Sequence, residues 1–203
     1  VLLKSLERET RNKNVRDTVR ALMEIMEEPA QIELGYNKDT SNFVKEDPFN
    51  TGETGSNVKA IYDVDGNVII FKETDLKNIS HETIAHEMIH MATFTKVLDH
   101  YNGSATNDAV GRLEVLMDEF MEMDFSKSEK PLKDAANAAK AQILRNKTSA
   151  EPFFKAAALN EFMAWTLSNE ALIKELKATQ TSLVSRLTKT VIALMKRLLG
   201  NVP

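Results

Sequence analysis

Apolar and polar positions alternate along this chain in patterns that change character twice. From Leu2 to about Glu28, the apolar residues Leu2, Leu3, Leu6, Val15, Val19, Leu22, Ile25 and Met26 recur at spacings that suit helix, with charges between them. One or two amphipathic helices are predicted there. Residues 29–56 carry Pro29, Gly35, Pro48, Gly52 and Gly55 among polar residues, which marks an irregular connection. Val58–Tyr62 and Val68–Phe71 are β-prone runs joined through Asp65-Gly66-Asn67, a hairpin signal that predicts two antiparallel strands. Ser80 then stands at an N-cap position with Glu82 in the first turn, so a helix is predicted over about 81–97, ending near Asn102-Gly103. The rest of the chain reads as helix: about 107–123, 132–146, 153–168, 170–178 and 182–199. The expected fold class is therefore α+β and mainly helical. A small antiparallel sheet packs on the 81–97 helix to form one lobe, and the later helices form a second lobe facing it across a cleft.

The chain has 203 residues, of which 42% are hydrophobic, enough for one well-cored domain. A single domain over 1–203 is expected, with N-terminal helices and connection over 1–56 and a core over 57–200. The net charge of −4 is small and the basic residues are dispersed, so no nucleic-acid partner is expected. Cysteine is absent, which excludes disulfides, thiol nucleophiles and thiolate metal ligands. No run reaches the roughly 18 apolar residues of a membrane span, so no membrane partner is expected either. The chain opens on Val1, which suggests a processed product or a piece of something longer.

All 4 histidines lie between positions 81 and 100, and His86-Glu87-Met88-Ile89-His90 is an H-E-x-x-H motif. At about 100° per residue, His86 and His90 differ by about 40° and project from one helix face, one turn apart, so both can grip one zinc ion. His81 lies about 140° from His86 and falls outside that pair. Glu87, next to the first ligand, is placed to take the proton of a zinc-bound water, which is the catalytic role expected of it. A catalytic zinc site usually takes three protein ligands. A third histidine six residues past His90 is excluded, because Thr93 and Lys96 occupy the positions where that motif needs glycine and histidine. His100 is displaced from His90 by about 15 Å along the axis.

Downstream, Leu159-Asn160-Glu161-Phe162-Met163-Ala164-Trp165 places an Asn-Glu pair on an amphipathic helix. This arrangement resembles the third-ligand helix of the gluzincin metallopeptidases, the thermolysin-like group. The resemblance implies that Glu161 is the third zinc ligand, with Asn160 adjacent to the site. Where that group often carries an acidic residue four positions after the glutamate, this chain has Trp165. The carboxylate orienting a ligand histidine must then come from elsewhere, with Glu114, Asp118 and Glu119 as candidates. The block from Asn160 to Asn169, followed by Leu172, Leu176 and the terminal helix, also looks like zincin-type domains embedded in large phage and mobile-element polyvalent proteins. That match covers roughly residues 58–200.

Together these readings lead to the expectation of a zincin-like, zinc-dependent metallopeptidase. Its ligands are His86, His90 and Glu161, its cofactor is Zn2+ and its proton carrier is Glu87. Its substrate would be a polypeptide, its own parent chain or a host protein, laid along a sheet edge formed by Val68–Phe71 or Val58–Tyr62. A phage origin would make it cytoplasmic or virion-associated. The first alternative retains the zinc without catalysis, as a virion, ejection or scaffold module. The second is a metal-free helical interaction module. His100, Tyr101, Tyr62 and Arg112 are each able to stabilise a transition state, but each is more often a surface or capping residue. Phe153, Phe154, Phe162 and Trp165, at helical spacing, are expected in the core.

Overall fold

In the computed structural model, the histidine run is a helix because local signals at both ends agree. The structure describes residues 8, 16–17, 19–20, 32–33, 60–63, 68–71, 79–104, 106–178, 186 and 189–194. Helix α1 spans His81–Tyr101, and the Ser80 Oγ accepts the Thr83 N–H at 3.1 Å as its N-cap. It stops where Gly103 adopts φ 76°, a left-handed conformation that a side chain would strain. Helix α2, Asp108–Glu122, starts from Asn107, whose Oδ1 accepts the Ala109 N–H at 2.9 Å. Helices α3 (Lys130–Lys147) and α4 (Pro152–Ser168) each carry a proline at their start, where a missing N–H costs nothing. Helix α5 spans Glu170–Ala178.

Helix α4 is the central element. Ala156, Ala157, Ala158, Leu159, Phe162, Met163 and Ala164 are all buried, so apolar side chains occupy its whole circumference, as in a helix surrounded by protein. It packs most extensively on α1 and next on α3, and it also touches α2 and α5. Its antiparallel course along α1 follows from the paired residues. Phe94 meets Phe153 at 5.3 Å between ring centroids, Asn160 bonds Thr93, and the Glu82 carboxylate accepts the Glu170 N–H at 2.9 Å just beyond the α4 end.

The strands are short. β1 (Ile32–Glu33) has 2 residues, and β2 (Ala60–Asp63) and β3 (Val68–Phe71) have 4 each. Their order is β1-β3-β2, with β2 antiparallel and β1 parallel to β3. Tyr62 and Ile69 join the same hydrophobic core as α1 to α4.

This arrangement overturns the expected α+β zincin-like fold, in which an antiparallel sheet and the H-E-x-x-H helix make one lobe and later helices make another. The described residues form a helical body with one main core shared by α1 to α4, the few strand residues form a mixed sheet, and α1 lies directly against α4. The physical reason is that α4 is buried on every side, mostly through apolar residues, and needs neighbours all round, so α1 closes onto it. Strand β1 falls within the segment expected to be an irregular connection, because two residues carry no period. Strand β3 is central in the sheet, so Val68–Phe71 is not the edge proposed for substrate pairing.

Other expectations hold where residues are described. The helix ends fall within about two residues of prediction for α2 to α5, and α1 extends to Tyr101. Phe162 is fully buried, with Trp165 and Phe153 packed against the core. Arg8, Arg16, Asp17, Val19 and Arg20 are helical, and Val19 packs with Ala85 and Ile173. Residues 186 and 189–194 are helical too, with Val191 and Leu194 in the main core. The remainder of the predicted terminal helices, the connection apart from Ile32–Glu33 and the Asp65-Gly66-Asn67 turn lie outside the described residues. No helix among the described residues is long and apolar enough to cross a membrane.

Candidate metal centre

Helix α1 presents His86 and His90 one turn apart, and their rings meet edge to face at 4.6 Å between centroids. Opposite them, α4 presents Glu161. The His86 Nε2 lies 3.5 Å from Glu161 Oε2, and the His90 Nε2 lies 3.6 Å from Glu161 Oε1. Ligand atoms of these three residues lie within 4.8 Å of one another, and theirs is the group among the described residues able to hold a metal ion.

The tautomers decide what such a group can do. His90 turns its Nδ1 to the Asn160 Oδ1, an atom that only accepts, so the proton is on Nδ1. The Asn160 amide nitrogen donates to Thr93 Oγ1 at 2.6 Å, and Thr93 Oγ1 donates to the Ile89 carbonyl at 2.7 Å. This chain of bonds holds the His90 ring and turns its Nε2 lone pair inward. His86 directs its Nδ1 to the Ser168 Oγ at 3.5 Å, while Ser168 donates its own hydroxyl proton to the Ala164 carbonyl at 2.7 Å. Both Nε2 atoms face the carboxylate, and with each ring protonated on Nδ1 three electron donors converge, an arrangement that a cation stabilises.

Burial sharpens this. Glu161 is 1% exposed, His90 2% and His86 18%. Loss of water pushes both imidazoles down to about 4, the Glu161 charge only partly offsetting the effect at His90, so both are neutral and ready to ligate at pH 7. A tetrahedral zinc with bonds of about 2.0–2.1 Å sets its ligand atoms about 3.4 Å apart. The two Nε2 atoms approach different oxygens of the Glu161 carboxylate, at 3.5 and 3.6 Å, close to that spacing, and two imidazole nitrogens with a carboxylate are donors zinc accepts.

The predicted ligands thus come together; Glu87, expected as a proton carrier and not as a ligand, is not one of the three. It is buried on α1, outside the converging set. His81 opens α1 away from the cluster, and the His100 Nδ1 accepts the Asn107 N–H at 3.0 Å. Residues considered for transition-state stabilisation are engaged elsewhere: Tyr101 donates to Glu114 at 2.7 Å, Arg112 pairs with Asp108 at 3.1 Å, and Tyr62 is fully buried. Burial and the Glu114 carboxylate push the Tyr101 phenol well above its usual range.

The three carboxylates considered for orienting the histidines have other partners. Glu114 binds Tyr101, Asp118 pairs with Lys147 and Glu119 pairs with Arg186. An amide and a hydroxyl take that role instead. Thr93 and Ser168 went unnoticed in the sequence, although spacing placed them: Thr93 is seven residues after His86, and Ser168 is seven after Glu161, two turns along the same face. Trp165, at the position where an acid was sought, sets its ring edge to face with His86 at 5.6 Å between centroids.

No family model matches this chain, and no solved structure does. The chain is similar to the virion DNA-directed RNA polymerase of Enterobacteria phage N4, at 36% identity over 146 residues. The match covers 66% of this chain and 4% of that protein. It overturns the expectation of a zinc metallopeptidase acting on a polypeptide, whether its parent chain or a host protein, with no nucleic acid involved. The similar protein is named for DNA-directed RNA synthesis and not for peptide hydrolysis. The H-E-x-x-H spacing specifies a grip on a metal and leaves the reaction open, because two histidines one turn apart form the same claw with or without a substrate cleft. What the chain resembles is a short part of a phage virion protein.

Proposed function

We propose that this chain is a non-catalytic, metal-stabilised module of a large phage virion protein, in which zinc held by His86, His90 and Glu161 pins α1 to α4. The observation that carries the reading is the convergence of the two Nε2 atoms and the Glu161 carboxylate from two antiparallel helices, with ligand atoms of all three residues within 4.8 Å of one another. Similarity to a virion protein supports the setting. Nucleic acid enters through the parent chain. A nucleotidyl-transfer centre of the two-metal type needs several carboxylates, whereas this cluster has one carboxylate between two imidazoles.

Inside the module the ion would act as a cross-link between helices. Binding to the folded state alone stabilises it by about 4 kcal/mol when free metal is a thousandfold above its Kd. Elemental analysis after zinc loading and dialysis tests the reading. About one zinc per chain is expected in the wild type and in Glu87→Gln, and none in His86→Ala, His90→Ala or Glu161→Gln. A wild type that retains no zinc would overturn the metal assignment. Hydrolysis of a denatured protein by wild type but not by Glu87→Gln would overturn the non-catalytic one.

A further inference from the structure

The two histidines are held unequally. His90 is enclosed and locked through Asn160, Thr93 and the Ile89 carbonyl. His86 keeps an exposed edge, and its Nδ1 has a single neutral hydroxyl at 3.5 Å. We infer that Ser168 is a positioning residue that fixes the tautomer of His86 and thereby sets how tightly this site holds its metal. The inference rests on the metal reading above.

The hydroxyl proton of Ser168 goes to the Ala164 carbonyl at 2.7 Å, which leaves only lone pairs to face the ring. That oxygen can accept a proton carried on His86 Nδ1, the tautomer that leaves the Nε2 lone pair free at 3.5 Å from Glu161 Oε2. Without the hydroxyl, nothing described holds the proton on that nitrogen. The other tautomer places an N–H on Nε2, where it donates to the Glu161 carboxylate and occupies the metal position. Trp165, edge to face with the ring, limits its rotation but offers no acceptor for Nδ1, because the indole nitrogen donates to Gln142 Oε1 at 2.5 Å. Ser168 itself is 2% exposed, so water does not readily replace its oxygen. Partners of this kind typically change metal affinity 10–100-fold, and a long bond to a neutral oxygen belongs at the low end.

Two measurements on the full chain test this: the histidine tautomers of the metal-free protein from ring-nitrogen NMR shifts, and zinc affinity by competition with a chromophoric chelator. In the wild type the His86 proton is expected on Nδ1. Ser168→Ala is expected to move it to Nε2 and weaken zinc about tenfold, with the metal-free unfolding midpoint nearly unchanged. Ser168→Thr keeps a hydroxyl and is expected to restore both properties. Unchanged tautomer and affinity in Ser168→Ala would overturn the inference, as would an affinity loss matched by lost metal-free stability. A tautomer shift in a protein that takes up no zinc would leave the Ser168 contact standing and overturn the metal reading, and with it the claim that the hydroxyl tunes a metal.

Discussion

The seam between α1 and α4 and the charged rim along α2 and α3 are both rich in polar residues, yet they differ in what those residues do. In the seam, His90, Thr93, Asn160, Glu161 and Ser168 are buried, and each named bond answers another. On the rim, Asp118–Lys147, Glu119–Arg186, Asp108–Arg112 and Lys130–Asp134 form pairs in water. A buried polar group deprived of its partner keeps its desolvation cost, whereas an exposed ion regains water when its partner leaves. Few buried groups therefore outweigh many exposed charges, and counting charges along the sequence weights the wrong region.

The largest effect is expected from Glu161→Gln, which keeps the shape but removes the charge that two neutral imidazoles face. Metal content should fall to zero, and the zinc-dependent rise in melting temperature should vanish with it. Chelator titration of both proteins under calorimetry checks this. A metal-dependent stability of about 4 kcal/mol at a thousandfold Kd is the size at stake. Persistence of the rise in the variant would place the ion elsewhere.

Acid should act on the same seam. His86 and His90 are held down to about 4 by burial, below the usual 6.5, so in this window the unfolded chain binds protons that the native one does not. Metal-free stability is expected to fall as pH drops from about 6.5 to about 4, and these two groups should add no further loss below that. Urea midpoints measured at half-unit pH steps give the curve. A flat profile across that window would show the rings to be ordinary surface imidazoles.

Asn160→Ala comes next. It strands the His90 Nδ1–H and removes the donor to Thr93 inside the seam, with an expected cost of about 1–3 kcal/mol even without metal, and a further 10–100-fold loss in zinc affinity. Denaturant melts with and without chelator separate the two components. The smallest change belongs to the rim: Asp118→Ala should shift stability by less than about 1 kcal/mol, and less again at high salt. If the rim change equalled the Asn160 one, the contrast between the two regions would collapse.

How much of this was legible in the sequence follows the same division. Ser80 as a cap and the stop near Asn102-Gly103 are statements about neighbours within a turn, and the limits of α1 follow from them, whereas the later helices follow from apolar periodicity. The His86 and His90 pair was legible for the same reason. Glu161 was reached by resemblance, since nothing in its local spacing separates a ligand from a solvated carboxylate. Orientation of the histidines was sought among acidic residues of α2, and it came instead from Asn160 and Ser168 on the ligand helix itself. The misreading came from weighting charge over burial, because inside a dry seam a fixed amide or hydroxyl orients a ring without the cost of a second buried charge.

By itself the sequence determined the helices, their caps and a two-histidine claw, because each depends on residues a few positions apart. Tertiary structure alone decided that α1 runs against α4, that a distant carboxylate closes the claw, that Ile32–Glu33 joins β3 in parallel, and that an amide and a hydroxyl choose the tautomers. Those outcomes rest on contacts between residues far apart in the chain. They are selected by the burial of α4, most of whose buried positions are apolar, and by the need of the polar groups drawn in with it for partners.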